Sequence, residues 1–243
     1  QHFFSELAQR IIKIVNHAGP HGRLFEIDPR LRPTGRSGTL AISLAEFRKY
    51  YASDQAQLWE RQTLCKARAI CGSADASGEL LQAVQQAILD HPWRPQHAAE
   101  IHDMRKRLED SASPHNIKRG PGGTVDIEFL VQMFQLKYAA AQSDILVPNT
   151  LEALAALRKH NILSEEDFTF FDRAYRFLRN VESRLRLMNT TARHDLPTNE
   201  SELNKLAWLL DFNSGQDLAA ETGKLTRETR KKFDELFAAA ARS

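Results

Sequence analysis

Residues 164–190 read SEEDFTFFDRAYRFLRNVESRLRLMNT. Apolar side chains recur there at steps of three and four: Phe168, Phe171, Tyr175, Leu178, Val181, Leu185 and Met188. That is the period of a helix, not of a strand, and the stripe runs for about six turns. Ser164 stands at the helix start with Asp167 three residues on, a capping box with Asp in place of Glu or Gln. Such a stripe is read as core packing between the helices of a bundle. It carries architecture and no chemistry.

Outward from this element the same period predicts most of the chain. Phe3, Leu7, Ile11, Ile14 and Val15 share one face of a helix over 3–17, stopped by Gly19-Pro20. Ser43 and Glu46 have the form of a capping box, and Leu44, Phe47, Tyr50 and Tyr51 follow at helical spacing. Further helices are predicted over 55–70, 78–90, 96–110, 126–142, 149–160, 201–211 and 215–241. Residues 23–28 alternate and read as a short strand, 30–38 as a loop rich in Pro, Gly and Thr, and 39–43 as a second short strand. The expected fold class is mainly α.

The chain has 243 residues with 33 Lys and Arg against 31 Asp and Glu. That suits one large domain or two small ones. A formal charge of +2 gives no global attraction for nucleic acid, and acids are interspersed with bases rather than forming a basic stripe. No apolar run approaches the roughly 18 residues that a membrane span needs, so neither a nucleic acid nor a membrane is expected as partner. Cys65 and Cys71 are too far apart for a CxxC pair. Both read as small, largely buried apolar residues, which fits a reducing cytoplasm. The first residues, Gln1-His2-Phe3-Phe4, contain no Met and no signal-peptide pattern, as expected of a piece of a longer chain.

Three segments hold residues suited to chemistry. In the first, Phe25-Glu26-Ile27-Asp28-Pro29-Arg30-Leu31-Arg32-Pro33-Thr34-Gly35, extended backbone would place Glu26, Asp28 and Arg30 on one face. A carboxylate at a strand end suits Mg²⁺, and arginines beside it suit a triphosphate. The bland reading is a surface turn with ion pairs. The second is Lys118-Arg119-Gly120-Pro121-Gly122-Gly123-Thr124-Val125-Asp126-Ile127-Glu128. A glycine loop ahead of a helix offers N–H groups to an anion. Asp126 and Glu128, though, lie about 200° apart on a helix and would not chelate one ion. Asp126 near a helix N-terminus is favourable on structural grounds alone. The third is Trp59-Glu60-Arg61-Gln62 with Lys66-Ala67-Arg68, where Arg61, Lys66 and Arg68 either point at the Asp28 loop or form a solvated face. No HExxH, GxSxG, P-loop or GxGxxG pattern occurs.

In this order and spacing the three segments resemble the glutamine synthetase adenylyltransferase family, over nearly the whole chain. The resemblance implies an enzyme that moves AMP between ATP and a tyrosine of glutamine synthetase. Fold expectations follow from it: a remnant of a nucleotidyltransferase α/β fold over 1–52, then an antiparallel helical bundle over 53–243. Strand 23–28 would be an exposed edge. Asp28 matches the third of the family's three carboxylates and is the implied catalytic and metal residue. Arg30, Arg32, Lys118, Arg119, Gly122 and Gly123 are implied to hold phosphate or nucleotide. Glu60, Arg61, Lys66, Arg68, Asp126 and Glu128 are implied to support them.

The resemblance further implies Mg²⁺ and ATP, glutamine synthetase and a PII-type signal protein as partners, and a cytoplasmic location. The Gly-Ser…Asp-x-Asp pair of the family motif is not matched anywhere in the sequence, so the chain alone is expected to be inactive. The Asp126-Ile127-Glu128 form resembles the adenylylating half more than the homologous removing half. A helical module that only docks these partners is the alternative.

Overall fold

The computed structural model describes residues 2–20, 22, 26–35, 38–189 and 193–242. Among them the regular structure is ten α-helices and one short 3₁₀ turn at Ser143–Ile145, with no strand. The chain forms two compact units, Gln1–His91 and Pro92–Ser243.

The first unit holds α1 (His2–Val15), α2 (Leu44–Tyr51), α3 (Leu58–Leu64) and α4 (Ala74–Leu89). Both α2 and α3 pack on α4, which buries Ala83, Val84, Ala87 and Ile88. The boundary expected at 52/53 therefore falls inside this unit. The apolar face of α1 lies exposed at Phe3, Phe4, Leu7, Ile11 and Ile14.

Neither expected strand is present among the described residues; 23–25 lie outside them, and 26–28 and 39–43 are irregular. The backbone of Ile27 meets a side chain instead of a neighbouring strand. Its N–H donates to Asn16 Oδ1 at 2.7 Å, and its carbonyl accepts from Asn16 Nδ2 at 3.2 Å. An amide side chain thus satisfies the two groups that a ladder would have satisfied.

Helix starts follow the predicted caps. Ser43 and Glu46 form the full reciprocal box at the start of α2, and such a cap is worth about 1 kcal/mol. The helix expected over 55–70 is shorter. Glu60 accepts from Gln57 N–H at 2.8 Å and starts α3 at Leu58. At its other end Lys66 N–H bonds Thr63 O and Ala67 N–H bonds Leu64 O, tight closures that end the helix. Cys65 is buried there, and burial pushes its thiol up to about 12. Cys71, expected to be buried, is exposed, because it lies in the irregular stretch between α3 and α4 rather than on a helix.

The second unit holds α5 (Gln96–Asp110), α6 (Thr124–Tyr138), α7 (Thr150–Lys159), α8 (Glu165–Met188), α9 (Glu200–Trp208) and α10 (Gly215–Ala240). Helix α6 packs on α5, α7, α8 and α10 and is buried on most of its circumference, as a central helix must be. Helix α8 buries Phe171, Tyr175, Leu178, Val181 and Leu185 of the predicted stripe, starting from the Ser164–Asp167 cap. Its second half meets Ile117, Leu206 and Leu218 in one apolar cluster.

Candidate functional site

The residues singled out by the sequence fall into both units. In the first, the loop after Ile27 folds back on itself. Asp28 accepts from Arg30 through the backbone N–H at 3.1 Å and through Nε at 2.8 Å to each carboxylate oxygen. The hydrogen bonds and charge of Asp28 raise the Arg30 pKa. Both side chains are exposed. Arg32 is held by backbone carbonyls. Its guanidinium donates to the carbonyls of Pro29 and Gly38, the latter at 3.1 Å through Nη2. It ties the two ends of the loop together.

This loop is fastened to the helices beneath it. Tyr50 donates to the Glu60 carboxylate at 2.8 Å and shares a hydrogen bond with the Thr34 backbone. Glu60 is buried and also holds the start of α3. Arg61, read either as facing the Asp28 loop or as part of a solvated helix face, is instead buried, donating to Tyr51 O at 2.7 Å and to Ala87 O. Its place is inside the unit because three backbone and packing contacts, including the Tyr51 ring, collect on it. Lys66 and Arg68 are exposed.

In the second unit the glycine loop is closed to anions. Gly122 N–H donates to Asp126 Oδ2 at 2.7 Å, Gly123 N–H to Gly120 O at 3.0 Å, Thr124 N–H to Ile117 O at 3.1 Å and Val125 N–H to Lys118 O at 3.1 Å. The donors that a phosphate would need are committed to the protein. Gly122 and Gly123 are glycines for another reason. Gly122 has φ +71°, and a Cβ there would run into the Thr226 carbonyl of α10; a Cβ on Gly123 would lie 2.6 Å from Lys118 O. The loop is a close packing of backbone on backbone.

Asp126 is the pin of this arrangement. It lies in the first turn of α6, where the helix dipole favours it. It accepts from Arg105 Nε and, at 3.3 Å, from Arg230, which also reaches Glu109 at 2.7 Å. Arg105 further donates to Gly120 O at 2.9 Å. Burial pushes the Asp126 carboxyl up, against the opposing pull of Arg105 and Arg230. Asp126 and Glu128 do not converge: Glu128 turns to α8 and accepts from Tyr175 at 2.8 Å. Arg119 is exposed, with its amide on Asn116 Oδ1 at 2.8 Å. Lys118 reaches toward Glu182 at 3.9 Å. Arg105, Arg230 and Glu182 were not singled out in sequence, because each stands in a run of charged residues that reads as a solvated helix face.

For Mg²⁺ the fit is poor. Both oxygens of Asp28 are taken by Arg30, and among the described residues no three His, Cys, Asp or Glu side chains converge as a metal site. No helix among them is long and apolar enough to cross a membrane.

Residues 96–240 match the family model of GlnD PII-uridylyltransferase, more than half of the chain, and residues 1–83 match that of glutamate-ammonia ligase adenylyltransferase. The chain belongs to this family of nucleotidyltransferase domains. Its two matched stretches lie one in each compact unit. The bifunctional glutamine synthetase adenylyltransferase/adenylyl-removing enzyme of Streptomyces coelicolor is 32% identical over 206 residues, 83% of this chain. The chain spans 20% of that relative's length.

Proposed function

We propose that the chain is part of an adenylyltransferase that transfers AMP from ATP to a tyrosine of glutamine synthetase, and that it belongs to the adenylylating half. The observation that carries this reading is the Asp28 loop. It holds an exposed carboxylate in a bidentate clasp with Arg30, on a loop closed by Arg32 and fastened through Tyr50 to Glu60. It lies in the stretch that matches the adenylyltransferase family model. Asp28 is assigned as the catalytic carboxylate and Arg30 as a phosphate-facing cation, with Arg32, Glu60 and Tyr50 holding the loop's shape. Family membership implies ATP as substrate and Mg²⁺ as cofactor, but Asp28 alone does not make a metal site.

On this reading the isolated chain is inactive, because one carboxylate cannot both hold the metal and activate the acceptor hydroxyl. Incubation with labelled ATP, Mg²⁺ and glutamine synthetase is expected to give no label above a no-enzyme control. Asp28→Asn in the complete protein is expected to abolish transfer while leaving its helix content and melting temperature unchanged. Full activity in that variant would overturn the assignment. The Streptomyces relative is bifunctional, which supports a second reading, the removing half. It predicts that Asp28→Asn abolishes release of AMP from modified glutamine synthetase and spares its attachment. A third, a bundle that docks glutamine synthetase or a PII-type protein without chemistry, predicts pull-down of one of them by the isolated chain and no effect of Asp28→Asn.

A further inference from the structure

Helix α8 carries a buried carboxylate surrounded by more positive charge than it can neutralise. Glu182 has 3% of its side chain exposed and meets four basic groups. Arg179 lies at 2.6 Å, His194 Nδ1 at 3.1 Å, Arg186 at 3.3 Å and Lys118 Nζ at 3.9 Å. They come from three places in the chain. Arg179 and Arg186 stand one turn before and one turn after Glu182 on α8. Lys118 comes from the segment between α5 and α6, and His194 from that between α8 and α9.

The two segments are fixed to one another. Ile117 N–H donates to His194 O at 2.8 Å, and Leu196 N–H to His115 O at 3.0 Å. Asn116 Oδ1 accepts the amides of Lys118 at 3.1 Å and Arg119 at 2.8 Å. Asp195 accepts from Ser113 and Asn116, and Glu128 from Tyr175; among the described residues neither carboxylate forms an ion pair with the four basic groups.

A carboxylate needs one arginine for a full set of charge-assisted bonds. Here Lys118, Arg179 and Arg186 set three cationic side chains against the one carboxylate of Glu182, an excess of two positive charges before His194 is counted. Arg179 and Arg186 keep 50% and 52% of their side chains exposed, and Lys118 keeps 32%. Each therefore places one edge on Glu182 and leaves other N–H donors toward solvent. The buried carboxylate acts as a hub that gathers the cations and holds them in position. Two free charges and fork-shaped donors match the dianion of a phosphate group.

We propose that Lys118, Arg179, Arg186 and His194, gathered on Glu182, form a binding site for a phosphate-bearing ligand. The site lies wholly within the second unit and does not rest on the transfer reading of the Asp28 loop. It is distinct from the glycine loop, whose amides are committed to the protein.

The test is calorimetric titration of the 243-residue chain with inorganic phosphate and, separately, with ATP, at constant ionic strength set with chloride. Saturable binding is expected, weakened about tenfold or more in Arg179→Gln/Arg186→Gln. Absence of saturable binding to either probe overturns the proposal, as does a double variant that keeps its helix content and binds as the wild type does. Should the double variant lose helix content, Lys118→Gln decides by the same criterion. Capture of an acidic protein without phosphate binding likewise overturns it, and makes the cluster a contact for a protein surface.

Discussion

Arg105 and Asp126 form an ion pair that water does not reach: their side chains are 1% and 0% exposed. A buried pair is weak evidence of net stability, since both charges lose their hydration. Its removal from one side is a different matter. Asp126→Ala leaves Arg105 in a dry interior with only Glu109, at 3.4 Å, opposite its charge, and frees the Gly122 amide as well. Such a change costs about 3–5 kcal/mol. Urea unfolding of the purified chain is the measurement, with loss of the cooperative transition as the extreme result. A change below about 1 kcal/mol would mean that Asp126 is not the pin described above.

Two glycines are predicted to respond in opposite senses. Gly122→Ala forces a side chain into a left-handed backbone and against the Thr226 carbonyl, so it destabilises by about 2 kcal/mol or more. Gly78 sits inside α4 with open space where its Cβ would be. Gly78→Ala is expected to stabilise by about 0.5–1 kcal/mol. Thermal melts of the two variants check the pair together.

The cysteines differ in reactivity. Cys65 is buried and its thiol is pushed up to about 12, whereas Cys71 is exposed. One thiol per chain should react with a thiol reagent in buffer and two in denaturant. Cys71→Ser is expected to remove the fast reaction, and Cys65→Ser to leave it.

Glu182 sets a pH dependence. Burial opposes its ionisation, but the close approach of His194 and the charges of Arg179 and Lys118 outweigh that and bring its carboxyl from 4.5 to about 2. A lowered folded-state value stabilises the fold above the unfolded value. The contribution, at most about 3 kcal/mol, is complete above about pH 4.5 and is lost as pH falls through about 2. Measured as the stability difference between wild type and Glu182→Gln, it should shrink steadily between pH 5 and pH 2. A difference that does not change over that range would refute it.

Much of the helical layout could be read directly, because it rests on local signals. Ser43 with Glu46 and Ser164 with Asp167 start their helices where the caps stand, and the α8 stripe buries as its period requires. The helix expected over 55–70 ran too far because its end depends on tight backbone closures at residues 63–67 that no residue type marks. The strand read at 23–28 misled for a related reason. Its alternation is real, but the partner of Ile27 is the side chain of Asn16.

The site was less legible. Asp28 and Arg30 are near neighbours, and their pairing follows from the loop itself. The partners of Asp126 do not, since Arg105 and Arg230 lie far along the chain in stretches of alternating charge. Nothing in the glycine loop's composition tells an anion cradle from a seat for another helix. The difference lies in Thr226, more than a hundred residues away.

That separation bears on how the polypeptide reaches its final form. The seat for Thr226 is synthesised long before the helix that fills it, and α6, α8 and α10 must all exist before the seat is occupied. Until then Gly122 has no opposing backbone to rest on. The second unit is therefore expected to lock in one late step, slowly for so helical a protein, and a ribosome-tethered chain stopped short of residue 226 should be digested by protease at that loop.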